Sequence, residues 1–133
     1  MLVILNTVLR FKICYYGLTM TKTNETTRLI LNDLYKRGIY AWRNSVGTGS
    51  GTYTDKEGNA KTRWYKMGKT GSSDILAVLP PNGRLLCIEI KTASDRLRPE
   101  QVGFKANIER MGAIYLVVKS FDDYLQLIHK ILF

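Results

Sequence analysis

Asp74, Glu89 and Lys91 flank one short apolar stretch, "GSSDILAVLPPNGRLLCIEIK" (residues 71–91), and are the side chains best suited to chemistry. "DILAVLP" is nearly all apolar, as expected of a strand covered on both faces. "PPNG" supplies residues that favour tight turns, and "RLLCIEIK" returns as a second strand. Counting outward from a two-residue loop at Pro81 and Asn82 sets Asp74 opposite Glu89. A bulge at Gly83 would shift that register by one residue. In either register the two carboxylates lie on neighbouring strands, several ångströms apart. Strand alternation puts Glu89 and Lys91 on one face, with Ile88 and Ile90 on the other.

Carboxylates that close repel one another unless a cation settles between them. Hard oxygen ligands suit Mg²⁺, which takes one or two protein carboxylates and keeps several waters. Water activated by such an ion, beside a lysine amine, is a nucleophile for a phosphodiester. The competing reading is a sheet rim on which Lys91 simply neutralises Glu89. A Glu-x-Lys triplet alone is common. An Asp across a tight hairpin, in a basic chain, favours the metal.

The balance is indeed basic: 20 Lys and Arg against 11 Asp and Glu, a formal charge of +9. That excess favours polyanionic partners, above all nucleic acid, over a generally basic surface without such a partner. A length of 133 residues, 45% hydrophobic and 23% charged, fits one ordinary globular domain rather than a disordered chain. Cys87 reads as a buried small hydrophobe, and Cys14 lies in the N-terminal segment. Neither the cysteines nor the lone His129 shows metal-ligand spacing, and the absence of a disulfide framework suits a reducing cytoplasm.

The elements that must position the acids follow from capping and periodicity. "TNETTRLILNDLYKRG" reads as a helix capped by Asn24 or Thr23, ended by Gly38 and burying Ile30, Leu31, Leu34 and Tyr35. "IYAWRNSV" has strand character. "GTGSGTYTDKEGNAKTRWYKMGKTGSS" reads as a long loop, within which "YTDKEGNAKTRWYK" forms a small hairpin turning at Glu57, Gly58 and Asn59. After the acid-bearing hairpin come a helix "RPEQVGFKANIERMG" opened by Pro99, a strand "AIYLVVK", and a helix "SFDDYLQLIHKIL" capped by Ser120. The expected order is α-β-β-β-α-β-α, an α/β fold with a mixed sheet flanked by helices. Residues 1–20 begin with a short apolar run interrupted by Arg10 and Lys12, too short to span a membrane and without a signal cleavage site. They read as an N-terminal extension ahead of a domain spanning 21–133. A misassigned start accounts for them better than an edge strand, because "MTKTNETTRL" from Met20 resembles a natural beginning before a helix.

"GSSD", "IEIK" and "RLRPEQVGFKANIERMGAIYLVVKSFDD", with "LYKRGIYAWRNSVG" upstream, resemble the VRR-NUC domain of the PD-(D/E)XK nuclease superfamily. The resemblance runs from about residue 21 onward. It implies a restriction-endonuclease-like core and a metal-dependent nuclease acting on DNA, often structure-selective, with many small members from phages. It makes Asp74 and Glu89 metal ligands together with the backbone carbonyl of Ile90. Lys91 would orient or activate the attacking water and stabilise developing charge, and Gln101 would support the site by hydrogen bonding. Ser73 stands where the superfamily motif carries Pro, a variable position. The family's acid on the first helix falls to Glu25, for which a favourable place at the helix N-terminus is an equal explanation.

Arg43, Lys61, Arg63, Lys66 and Lys69 cluster around the long loop, interleaved with Tyr53, Trp64 and Tyr65. Such cations neutralise phosphates and such aromatics stack on unpaired bases. Asn44 would position the loop backbone or contact phosphate. Two tempting motifs fail: "GKT" lacks the glycine a P-loop needs five positions earlier, where Arg63 stands, and "GTGSG" lacks the following helix of a dinucleotide fold. The expectation is therefore a Mg²⁺-dependent DNA endonuclease, with Mn²⁺ as a substitute, directed at junctions or branched DNA such as Holliday junctions. The rivals are a non-catalytic nucleic-acid-binding module and a sequence-specific restriction-type enzyme. A homodimer would suit a two-strand cut.

Overall fold

Thr21 starts the described part of the chain, a computed structural model covering residues 21–133. The expectations for residues 1–20 and for Cys14 lie outside it. The Thr21 hydroxyl accepts the Asn24 N–H, so helix α1 (Lys22–Lys36) begins two to three residues earlier than Thr23 or Asn24 as caps would require. Gly38 ends it at φ +71, where a side chain would be strained. Ile30 and Leu34 are fully buried and Leu31 packs at the core margin. Tyr35 is not part of that stripe; it is 83% exposed.

The chain continues through β1 (Tyr40–Arg43), β2 (Gly47–Thr54), β3 (Ala60–Met67), β4 (Ile75–Leu79), β5 (Arg84–Ile90), α2 (Pro99–Arg110), β6 (Ile114–Val118) and α3 (Phe121–Leu132). Four strands form one mixed sheet in the order β1-β4-β5-β6, antiparallel except for the parallel β5–β6 pair joined across α2. Even-numbered residues of β5 and β6 and odd-numbered residues of β4 share a face. From it Ile75, Ala77, Leu86, Ile88 and Val118 pack with Ile30 and Leu34 of α1 and Tyr124 and Ile128 of α3. The Tyr124 hydroxyl donates to Asp33 at 2.8 Å and clasps the two helices. The other face carries Asp74, Cys87, Glu89, Lys91 and Tyr115, with α2 above β6 and Phe104 edge-on to Tyr115. Cys87 is buried, as its apolar neighbours suggest, and His129 is exposed beside Phe133.

The long segment before Asp74 is more ordered than a loop. β2 and β3 pair over their full lengths from Gly47↔Met67 to Thr54↔Ala60, turning at residues 55–59, as a separate two-stranded ribbon. "GTGSG" is strand, not loop: its glycines give no apolar period, and pairing with "RWYKM" supplies the order that composition hides. Among the described residues no helix is long and apolar enough to cross a membrane.

Candidate active site

Ile75↔Ile88 and Leu79↔Arg84 fix the β4–β5 register, which carried one step further sets Asp74 opposite Glu89. Gly83 introduces no slip; residues 80–83 all lie in the turn, closed by the Gly83 N–H on the Leu79 carbonyl. Asp74 reaches across to β5, where its Oδ2 accepts the Ile90 N–H at 2.8 Å. Glu89 is 3% exposed. Its Oε1 takes the Gln101 Nε2–H at 2.5 Å and lies 3.1 Å from the Lys91 ammonium. Among the described residues its Oε2 is buried without any partner.

Gln101 is the organising side chain of the α2 N-terminus. Pro99 opens that helix, which puts Gln101 at its third position, and the Gln101 Oε1 accepts both the Arg98 N–H (3.0 Å) and the Lys91 ammonium (2.8 Å). One amide thus caps a helix, holds a carboxylate and holds a lysine.

Asn44 fixes the segment leading into Asp74. Its side chain donates to Ser72 Oγ and to the Ser73 carbonyl at 2.7 and 2.8 Å, and its backbone N–H donates to the Asp74 carbonyl. Gly71 passes against the Glu100 carbonyl at φ +83, so a Cβ there would collide with the first turn of α2. Ser73, fully buried, donates to the Ile75 carbonyl. These contacts bring "GSSD" and "PEQ" into register around Glu89.

Burial, then the charge of Asp74, raises the Glu89 carboxyl above its ordinary range, against the lowering effects of Lys91 and Gln101. A buried unpartnered carboxylate oxygen costs roughly 1–3 kcal/mol or more unless something binds it. Beside it opens a concavity of about 300 Å³ lined by Arg43, Asn44, Ser72, Asp74, Glu89, Arg98 and Gln101. The donor set therefore fits a divalent cation on chemical grounds: two carboxylates, one with an oxygen buried and unused, at the mouth of a polar hollow.

Among the described residues no third His, Cys, Asp or Glu joins this pair. Glu25 is exposed in the first turn of α1 and does not complete such a group. The cations are spread out. Arg43 lines the hollow and donates to Asn24. Lys66 lines an adjoining concavity of about 350 Å³ with Arg98 and Gln101. Arg63 lies further along the ribbon, Lys69 is exposed in the turn after it, and Lys61 pairs with Asp55 at 2.9 Å near the tip. Arg98 was not singled out from the sequence, although its place just before Pro99 marks a helix N-terminus next to the acids.

A family profile described as "VRR-NUC domain" matches residues 22–122. The chain belongs to the VRR-NUC domain family. This is a nuclease-type domain of the PD-(D/E)XK superfamily, and Gly71, Asp74, Glu89, Lys91 and Gln101 lie within the matched span. A solved structure described as "VRR_NUC domain" has the same fold, with a TM-score of 0.58 at 20% identity over 83% of this chain and 97% of that one. No curated protein matches the sequence. The VRR-NUC fold accounts for the mixed sheet flanked by helices and for the parallel β5–β6 pair around α2.

Proposed function

We propose that this VRR-NUC domain is a metal-dependent DNA endonuclease that hydrolyses phosphodiesters in junctions or other branched DNA. The observation that carries the reading is the buried, unpartnered Glu89 Oε2 beside Asp74, an incomplete ligand set in a nuclease-type domain. Asp74 and Glu89 hold Mg²⁺ or Mn²⁺, with the Ile90 carbonyl as a third protein ligand. When bound, the cation supplies Lewis acidity toward phosphate oxygen and lowers the pKa of water. Lys91, fixed between Gln101 Oε1 and Glu89 Oε1, orients the attacking water and stabilises charge developing on the phosphate. Gln101 keeps both partners in place, and Asn44 holds the backbone that presents Asp74. Arg43, Arg98 and Lys66 line the approach and neutralise flanking phosphates. A homodimer would let it cut both strands of a branched substrate.

Cleavage of matched single-stranded, duplex, flapped and four-way-junction DNA, in Mg²⁺, Mn²⁺ or EDTA, tests this. Metal-dependent cutting of branched forms is expected. Tight binding with no cutting in either metal would instead support the non-catalytic binding module, and cutting at one duplex sequence would support a restriction-type enzyme.

A further inference from the structure

The alternating glycines of "GTGSG" are absorbed neither by the catalytic site nor by any nucleotide-binding motif. Pairing places Gly47, Gly49 and Gly51 on one face of the β2–β3 ribbon, directly opposite Met67, Tyr65 and Arg63, with Tyr53 opposite Lys61 on the same face. The Tyr65 ring is folded across Gly49: a Cβ there would lie 2.6 Å from the ring. At Gly51 a Cβ would meet nothing within 4 Å. The face therefore runs from Tyr53 over bare backbone at Gly51 to a Tyr65 ring held against the ribbon. The rings stand on positions four residues apart in register, about 13 Å along the strands.

Gly51, Tyr53, Arg63 and Tyr65 line a shallow concavity of about 730 Å³, which at its margin also takes in Thr52, Thr62 and Trp64 of the alternate positions. Both rings remain about half exposed, at 51% and 49%. The opposite face has no such floor, because Trp64 faces Ser50 and Lys66 faces Thr48. From Thr48 to Thr70 the ribbon and its flanks carry five cations against two carboxylates. One of those cations, Lys61, is occupied by Asp55, which leaves Arg63 beside the bare floor. Flat aromatic walls, an open backbone floor and a guanidinium suit a planar base with its phosphate. A stacked double helix presents no free base face to such a site.

We infer that this ribbon face is a stacking platform for an unpaired nucleotide of DNA, with Gly51 as the floor, Tyr53 and Tyr65 as the walls and Arg63 on the phosphate. The nuclease reading supplies the polymer as DNA; the platform itself stands on the ribbon's geometry. It would hold the single-stranded part of a branched substrate on an arm that begins at the active site, where Lys66 and Gly71 line the same hollow as Gln101.

Fluorescence anisotropy in EDTA, with a labelled oligothymidine and a duplex of equal length, tests the inference without cleavage. Tyr53→Ala and Tyr65→Ala should each weaken single-strand binding about 5- to 150-fold and duplex binding less than about twofold. Gly51→Val, which fills the floor with a good strand former, should act like them, and Tyr65→Phe should restore binding. Tyr35→Ala, at an exposed tyrosine on α1, should change nothing. Ribbon residues lie outside the core, so thermal midpoints should stay unchanged. Equal losses for single strand and duplex, no loss at all, or tighter binding of the matching RNA would overturn the platform. A dimer that dissociates on Tyr53→Ala would overturn it too, assigning the face to a second copy. Intact cleavage with unaltered single-strand binding would sink the platform alone. Variant-sensitive single-strand binding without any metal-dependent cleavage would sink the nuclease reading alone.

Discussion

Gln101 donates from Nε2 to Glu89 Oε1 at 2.5 Å, and through Oε1 the same amide accepts from Lys91 and from the Arg98 N–H. The carboxylate, the lysine and the helix are thus coupled through one buried side chain. Gln101→Ala should lower single-turnover cleavage about 10- to 100-fold, the usual effect of removing a group that orients a metal ligand. A rate within twofold of wild type would show that Glu89 and Lys91 hold their places unaided.

Asp74 has a separate structural tie, its bond to the Ile90 N–H. Asp74→Ala should abolish cleavage while DNA binding in EDTA persists, since phosphate contacts come from other residues. Asp74→Asn keeps the Ile90 bond and loses the charge, so it should fold normally and still fail to cut. Cleavage by Asp74→Asn at more than a tenth of the wild-type rate would remove the charge from the mechanism.

Gly71 lies at positive φ against the Glu100 carbonyl and joins the two halves of the site. Gly71→Ala should cost about 1–3 kcal/mol of stability and reduce cleavage as the helix bearing Gln101 is pushed away. Urea denaturation measures the first effect and single-turnover kinetics the second. Unchanged stability would mean that the loop relaxes freely.

Burial and Asp74 raise the Glu89 pKa from its ordinary 4.5. A carboxyl raised on folding contributes stability that is fully present below its unfolded value and lost as pH rises through its folded value. Metal-free protein should therefore lose this contribution toward neutrality, and Glu89→Gln should not. In EDTA, the stability of Glu89→Gln relative to wild type should increase as pH rises above about 4.5. A constant difference would contradict the raised value.

Lys61 is paired with Asp55, whereas Lys66 and Arg63 are not among the ion pairs of the described residues. Lys66→Ala and Arg63→Ala should each reduce the slope of log K against log salt by about 0.7–0.9. Lys61→Ala should reduce it much less. Equal effects for all three would place DNA at the ribbon tip as well.

Much of this site was legible because its parts are local. A tight turn fixes the Asp74–Glu89 register by counting, and strand alternation puts Lys91 beside Glu89. Pro99 sets Gln101 at the third helical position. What the sequence did not disclose depends on contacts across the chain. Nothing local says that Asn44 reaches Ser72 and Ser73, that Gly71 passes Glu100, or that Lys61 answers Asp55 rather than solvent. Tyr35 follows Leu34 on the helical wheel, yet burial ends between them. Glu25 matched the family's helix acid by type alone, and among the described residues it forms no three-acid cluster with the pair.

The most direct test of the central claim is single-turnover cleavage of a labelled four-way junction, titrated with Mg²⁺, by wild type and Glu89→Ala with DNA binding followed in parallel. The account predicts saturable, Mg²⁺-dependent cutting by wild type, none by Glu89→Ala, and similar DNA affinity for both in EDTA. Cutting that survives in Glu89→Ala, or that proceeds equally in EDTA, would contradict a reaction built on the Asp74–Glu89 pair.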